Sequence, residues 1–204
     1  MKVILFVALP SELPEDLVPN GIELHYTGVG KVNAAIKATE ILKGLDPTNT
    51  IVINYGSAGG PDAFVGNLFK CKSFVQRDMD ARPFAKETVT PFDNLIYPKL
   101  DDGGGYIEFG IGLTCHTQDK FEKKPNAVYD MEAYSIAKVC QIYGFDFTSY
   151  KYVSDSGNPD DWETNHKKGI EMFLNQLKNS PDGGTVDTLV LGTNIERCES
   201  SNLS

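Results

Sequence analysis

Three carboxylates stand at positions of the 204-residue chain where they could perform acid–base chemistry. Glu12 follows the first predicted strand, Asp155 ends a later strand, and Glu132 lies at the start of a predicted helix. Ligands of α/β folds bind at the carboxyl ends of parallel strands, so Glu12 and Asp155 are candidates for one site. A carboxylate can accept a proton from a nucleophile, and a protonated carboxyl can donate one to a leaving group.

Asp155 can act as an acid only if its surroundings change its pKa. An exposed Asp has a pKa of about 3.9 and holds almost no proton at neutral pH. Burial or a neighbouring carboxylate would raise the pKa of Asp155 into a useful range. Each carboxylate also has a structural interpretation: Asp155 could cap a turn, Glu12 could cap or precede a helix, and Glu132 could stabilise a helix dipole.

Short β-branched runs alternate with helical patterns, which indicates that an α/β fold positions these carboxylates. Strands are predicted over residues 2–8, 22–27, 50–55, 68–75, 106–115 and 147–153. Helices are predicted over about 32–42, 131–143 and 161–177.

Two glycine segments follow predicted strands. Gly28-Val29-Gly30 precedes the first helix, but Asn33 stands where a dinucleotide-binding motif requires its third glycine. The segment from Gly56 to Gly60 is predicted to be a loop whose small residues let a ligand approach the backbone. Either segment could also be a simple turn.

The composition limits the partners of the chain. The net charge of -9 and the pI near 4.8 argue against a large phosphate-neutralising surface, so no nucleic-acid partner is expected. With 41% hydrophobic residues, the length suits one domain, predicted over residues 1–178. The polar tail at 179–204 is predicted to be disordered or to hold a late strand.

The cysteines and the amino terminus favour a cytoplasmic protein. No apolar run is long enough to span a bilayer, so no membrane partner is expected. Residues 1–9 could pass for the core of a signal peptide, but no convincing cleavage site follows. The four cysteines lack CxxC spacing and are expected to be reduced thiols without a bound metal: Cys71, Cys115, Cys140 and Cys198.

Five segments, in this order, resemble the nucleoside phosphorylase and nucleosidase superfamily, and especially its 5'-methylthioadenosine/S-adenosylhomocysteine nucleosidase branch. The resemblance covers about residues 1–178 and implies a three-layer α/β/α fold with a mixed, mostly parallel central sheet. The segments are Ala8 to Glu12, Gly28 to Ala35, Asn54 to Gly60, Asp130 to Ala133, and Ser154-Asp155.

The resemblance implies cleavage of an N-glycosidic bond, with a role for each carboxylate. Asp155 would protonate N7 of the departing purine, Glu12 would orient and deprotonate water, and Glu132 would hold the ribose hydroxyls. Carboxyl groups suit both needs, because the leaving base requires a proton and the anomeric carbon requires a nucleophile.

The same resemblance implies residues that bind substrate. Ser57 would lie beside the ribose and Met131 would contact the sugar. Ser154, next to Asp155, would also bind substrate. Phe121 would supply an aromatic face to the base, although it could equally be a core aromatic. The expected partner is a small purine nucleoside, such as methylthioadenosine, S-adenosylhomocysteine or 5'-deoxyadenosine; no cofactor is expected, and a homodimer is implied.

Two other functions stay open. A purine nucleoside phosphorylase would use phosphate in place of water and would need cationic groups to bind it. Phosphorylase relatives carry arginines after the first strand and three residues before the loop serine, where this chain has Glu12 and Asn54. A non-catalytic nucleoside-binding protein of the same fold is the second alternative.

Arg77 to Ala81 resembles a family loop near the active site, but its continuation departs from the family pattern.

Overall fold

The computed structural model describes residues 1–100 and 105–178, and within them it contains eight strands and five α-helices. The strands are β1 (Lys2–Val7), β2 (Ile22–Tyr26), β3 (Thr50–Gly59), β4 (Leu68–Gln76), β5 (Tyr106–Glu108), β6 (Leu113–Thr117), β7 (Val128–Asp130) and β8 (Asp146–Asp155). The helices are α1 (Lys31–Leu42), α2 (Asp93–Ile96), α3 (Ala133–Tyr143), α4 (Pro159–Asn165) and α5 (Gly169–Lys178).

All eight strands belong to one mixed sheet, most of whose pairings are parallel, as the sequence predicts. The strand β3 is central: it pairs in parallel with β1 and β8, and β1 pairs in parallel with β2. Antiparallel pairing then joins β8 to β4, parallel pairing joins β4 to β6 and β6 to β7, and β7 returns to β3 through Gly59 and Tyr129.

These pairings close five strands, β3, β8, β4, β6 and β7, into a barrel-like ring. The strands β1 and β2 extend from β3, and β5 pairs along β4. A three-layer sandwich requires an open sheet between two helical layers, and the closed ring differs from that expectation. The coarser prediction, a mixed α/β fold with a central sheet and helices, is confirmed.

The two faces of β1 belong to two different parts of the core. Ile4 and Phe6 join a cluster with the inner faces of α1 and α3, whereas Leu5 and Val7 join a cluster with Phe173 of α5. Successive side chains of a strand point to opposite faces, so a strand buried on both sides must be apolar throughout. This burial explains why the first strand is an unbroken apolar run.

Most of the glycine segment after the predicted third strand, from Gly56 to Gly59, is part of that strand and not a loop. The strand β3 continues to Gly59 and pairs with β8 up to that residue, with an irregularity between Ala58 and Gly59. A Cβ atom on Gly56 would lie 3.4 Å from the Lys151 ammonium, and one on Gly59 would lie 3.5 Å from the Asp155 carboxyl. Glycine at these two positions therefore lets β3 pass close to the Lys151 ammonium and the Asp155 carboxyl.

Two other sequence predictions differ from the structure, and one strand has no counterpart among the predictions. The strand predicted over 106–115 is two strands, β5 and β6, separated by a turn that includes Gly110 at φ 126°. The helix predicted over 161–177 is interrupted by a 3-10 turn, His166–Lys168, between α4 and α5. The short strand β7 was not predicted. The tail at 179–204 lies outside the described residues.

No helix in the described part of the chain has the length and apolar character needed to cross a bilayer. Cys71, Cys115 and Cys140 are buried free thiols.

Candidate active site

One cavity of about 300 Å³ brings together six of the seven residues that the sequence predicts for the site. It opens where β1, β3, β7 and β8 end, as expected for ligand sites of α/β folds. The predicted residues that line it are Glu12, Ser57, Phe121, Met131, Glu132 and Asp155.

Glu12 is buried and held by donors from two elements. Its Oε1 atom accepts hydrogen bonds from the Ser57 backbone N–H at 2.8 Å and from the Ser57 hydroxyl at 2.6 Å. Its Oε2 atom accepts a longer bond, 3.3 Å, from the backbone N–H of Leu9. The turn after β1 and the strand β3 thus fix the direction of this carboxylate.

Glu132 stands at the amino-terminal cap of α3 and connects that helix to the Gly28-Val29-Gly30 turn. Its Oε1 atom accepts a hydrogen bond of 2.8 Å from the backbone N–H of Gly30. Burial and the negative charge of Asp130 raise the pKa of Glu132 to about 8. A buried carboxyl facing a cavity is suited to bind hydroxyl groups, which can satisfy it when it ionises.

A buried ion pair between Lys151 and Asp130 lies next to Glu132. The Lys151 ammonium lies 2.8 Å from Asp130 Oδ2, and both side chains are almost inaccessible to solvent, at 1% and 0% exposure. The same carboxylate accepts hydrogen bonds from Thr117 Oγ1 and from the backbone N–H groups of Glu132 and Ala133. Burial alone would raise the pKa of Asp130, but Lys151 and these donors hold it below its usual value.

Asp155, at the end of β8, has a raised pKa, as its predicted acid role requires. Burial is the main cause, and the charge of Asp161 acts in the same direction. The backbone N–H of Gly157 donates to Oδ1 at 2.9 Å, and the Ser154 hydroxyl is 2.9 Å from Oδ2. These contacts orient the carboxyl towards the cavity, which it lines.

Ser154 differs from the other predicted site residues because it does not line the cavity. Its side chain is fully buried, and its hydroxyl contacts Asp155 and the carbonyl of Ala58. The structure therefore places it behind Asp155.

The remaining wall is mainly apolar. Val29 and Phe121 form an exposed rim, with Phe121 39% exposed, so this aromatic ring is not a core residue. Met131, Pro159 and Trp162 line the cavity as well. An apolar wall around a few convergent polar groups is typical of a small-molecule site.

Salt bridges and hydrogen bonds connect the loops around this rim. Lys31, which begins α1, forms an ion pair with Asp78, and its backbone N–H donates to Asp119 Oδ1 at 2.9 Å. Asp78 Oδ2 in turn accepts from the backbone N–H of Asp119 at 3.0 Å. The loop after β4, where the sequence resembles a family loop, is thus connected to the segment that carries Phe121.

Sequence reasoning assigned no role to three residues at the site: Trp162, Lys151 and Asp130. Trp162 is the single tryptophan of the chain, and its indole N–H donates to Ser57 Oγ at 2.8 Å across 105 positions of sequence. No local pattern predicts such a contact. Lys151 lies in β8, where every residue from Ser149 to Asp155 is buried, and only the apolar character of its sequence neighbours could have suggested that the lysine is buried too.

The pocket can therefore perform acid–base chemistry on a small, partly apolar ligand. It offers a carboxyl with a raised pKa at one side, an anchored carboxylate at another, and a third carboxyl able to bind hydroxyl groups. This combination can protonate a leaving group and activate a nucleophile in the same cavity.

Comparison with known proteins agrees with this arrangement. The chain is 32% identical over 163 residues to the 5'-methylthioadenosine/S-adenosylhomocysteine nucleosidase of Chromohalobacter salexigens, which covers 67% of this chain and 68% of that protein. It is 30% identical over 196 residues to the enzyme of the same name from Geobacillus thermodenitrificans, which covers 78% and 80%. No protein-family profile matches the chain.

Solved structures share the fold at lower identity. The 5'-methylthioadenosine/S-adenosylhomocysteine nucleosidase of Colwellia psychrerythraea, in complex with adenine, has a TM-score of 0.62 at 21% identity and covers 82% of this chain and 89% of that one. Futalosine hydrolase of Helicobacter pylori has a TM-score of 0.70 at 17% identity and covers 87% and 96%.

The fold and the relatives together define a member of the nucleoside phosphorylase and nucleosidase superfamily. Within it, the chain belongs to the 5'-methylthioadenosine/S-adenosylhomocysteine nucleosidase family.

Proposed function

We propose that the protein hydrolyses the N-glycosidic bond of an adenine nucleoside and releases the base. Candidate substrates are methylthioadenosine, S-adenosylhomocysteine and 5'-deoxyadenosine. The observation that carries the proposal is the convergence of Glu12, Glu132 and Asp155 on one cavity in a chain of this family.

In the proposed mechanism, Asp155 gives its proton to N7 of the purine as the bond between the anomeric carbon and N9 breaks. The electron pair of that bond leaves with the base. Glu12 takes a proton from water, whose oxygen forms the new bond to the anomeric carbon. The raised pKa of Asp155 and the burial of Glu12 among hydrogen-bond donors support this division of labour.

The ligand-binding roles follow from the walls of the same cavity. Glu132 would accept hydrogen bonds from the ribose hydroxyls, with Met131 and Ser57 beside the sugar. Phe121, at the exposed rim, would stack on the base. Ser154 would act on the substrate only indirectly, by orienting Asp155.

Water is favoured over phosphate as the nucleophile because no lysine or arginine within residues 1–100 and 105–178 lines the cavity. A phosphorylase needs such cations to bind its anionic substrate. Asn54 is directed into the sheet, where its side chain donates to the Phe6 carbonyl at 3.0 Å and accepts from Ser149 Oγ at 2.7 Å. Lys151 is close to Gly56 but is bound to Asp130.

A homodimer that covers the rim of the pocket is part of the proposal. Val29 is exposed at the rim, and Val32 and Ile36 on the adjacent helix α1 are 68% and 54% exposed. Exposed apolar patches mark interaction sites. Sedimentation of the protein as a monomer at high concentration would rule out the dimer but would leave the proposed chemistry unaffected.

A cytoplasmic location is also proposed, since the buried free thiols fit a reducing compartment.

The decisive test is a panel assay with the purified protein. Methylthioadenosine, S-adenosylhomocysteine, 5'-deoxyadenosine, adenosine and inosine are incubated with and without phosphate, and released base and sugar are measured. We expect adenine and a free sugar from at least one adenine nucleoside, independently of phosphate. The double variant Glu12→Gln/Asp155→Asn is the matched inactive control. Tight adenine binding with base release at the background rate would favour a binding protein.

A further inference from the structure

We propose that Trp162 is a positioning residue that acts through Ser57: its indole N–H directs the Ser57 hydroxyl to donate to Glu12 Oε1, which leaves Glu12 Oε2 to activate water. The inference rests on the proposed function and adds to it a residue and a directed chain of hydrogen bonds. Trp162 belongs to α4, the short helix that follows Asp155 and forms part of the pocket wall.

The direction of the hydrogen-bond chain follows from the chemistry of its members. An indole N–H can only donate, so Ser57 Oγ must be the acceptor in the 2.8 Å contact with Trp162 Nε1. The Ser57 hydroxyl is then left to donate its own hydrogen, and Glu12 Oε1 lies 2.6 Å away. The backbone N–H of Ser57 donates to the same Oε1 atom, which confirms that this oxygen is an acceptor.

The two oxygens of Glu12 are therefore unequal. Oε1 receives two short hydrogen bonds from Ser57, whereas Oε2 receives one bond of 3.3 Å from Leu9 N–H. The oxygen with fewer donors retains more of its capacity to accept a proton. The structure thus assigns Oε2 as the atom that takes the proton from water, while Oε1 holds the carboxylate in place.

The indole ring is itself held in position. Asn158 caps the start of α4, with Pro159 at its first position, a combination that favours helix initiation. His166 stacks on Trp162 with ring centroids 4.6 Å apart and planes inclined by 15°. The His166 Nδ1 atom lies 3.0 Å from the Trp162 carbonyl, which fixes the histidine ring against the helix. The indole N–H of Trp162, which begins the series of hydrogen bonds to Glu12, is therefore oriented before substrate binds.

A spectroscopic experiment tests the contact without any substrate. Because the chain contains one tryptophan, its amide-region NMR spectrum contains one indole N–H resonance. Ser57→Ala should move that resonance upfield, as expected for loss of a hydrogen-bond acceptor. An unchanged indole resonance in the Ser57→Ala protein would overturn the proposal.

A double-mutant cycle then tests the catalytic role of the contact. Trp162→Phe keeps an aromatic wall but removes the donor, and we expect kcat to fall about threefold to tenfold with KM within twofold of wild type. In the Ser57→Ala background, Trp162→Phe should cause no further fall, because the connection to Glu12 is already broken. Losses that multiply would show that Trp162 only packs against the pocket, and would overturn the relay.

Two controls complete the design. Glu163→Gln changes the exposed neighbouring position of α4 and should leave kcat and KM unchanged. Trp162→Leu, at a half-buried position, also removes the donor and repeats the cycle if the Phe variant folds poorly. Absence of base release by the wild-type protein would refute the proposed function, whereas the NMR result judges the Trp162 to Ser57 contact independently.

Discussion

Lys151→Met should destabilise the protein strongly, because it leaves Asp130 buried without its counter-charge. The two side chains lie 2.8 Å apart and are 1% and 0% exposed. Removal of one member of a buried ion pair costs about 3–5 kcal/mol. Asp130 keeps its donors from Thr117, Glu132 and Ala133, so we expect the lower end of this range, about 3 kcal/mol.

For a protein of this size, each kcal/mol lowers the melting temperature by about 2–4 °C, so Lys151→Met should lower it by about 6–12 °C. Differential scanning calorimetry at pH 7 measures this shift, and chemical denaturation gives the free energy of unfolding. Lys70→Met makes the same chemical change at an exposed position of β4 and should change stability by less than about 0.5 kcal/mol.

The double variant Lys151→Met/Asp130→Asn identifies the cause. If the loss comes from an uncompensated charge, removing that charge should restore part of the stability, so the two changes should be clearly non-additive. A Lys151→Met protein within about 1 kcal/mol of wild type, or strictly additive losses, would refute the electrostatic account of this pair.

The remaining predictions concern the three carboxyl groups and the effect of metal removal. Asp155→Asn and Glu12→Gln should each lower kcat by about 10²- to 10⁴-fold in a base-release assay, and Glu12→Gln should still bind adenine nucleosides in calorimetry; near-normal turnover in both variants would reject the mechanism. The pKa of Glu132 is raised to about 8, so its contribution to stability is full below its unfolded pKa and is lost as pH rises through 8. The melting temperature of wild type should therefore fall relative to Glu132→Gln between pH 5 and pH 9, and parallel curves would contradict the raised pKa. Activity should survive EDTA, and its loss with recovery on adding one divalent ion would reveal a metal requirement.

The sequence was most informative for residues whose location in the fold follows from their position at the end of a strand or along it. Glu12 and Asp155 follow buried strands, and parallel strands bring their carboxyl ends to one edge of a sheet. Their meeting in one cavity could therefore be predicted before the fold was known. The apolar run of β1 also predicts a strand buried on both faces, as observed.

Features that depend on distant contacts could not be predicted in the same way. The strand β7 has three residues, too few for a recognisable period, yet its pairing with β3 closes the ring. The hydrogen bond from Gly30 to Glu132 spans 102 positions of sequence, and its donor is a backbone group common to nearly every residue. A lysine in a strand is usually exposed, so the burial of Lys151 becomes evident only with Asp130 beside it.

The origin of the oxygen in the sugar product distinguishes hydrolysis from phosphorolysis. The wild-type protein is incubated with methylthioadenosine in ¹⁸O-water containing excess phosphate, and the products are analysed by mass spectrometry. Hydrolysis by water that Glu12 activates predicts one ¹⁸O atom at the anomeric carbon of a free sugar, in an amount equal to the adenine released. A sugar 1-phosphate without ¹⁸O at that position would rule out hydrolysis and would identify phosphate as the nucleophile.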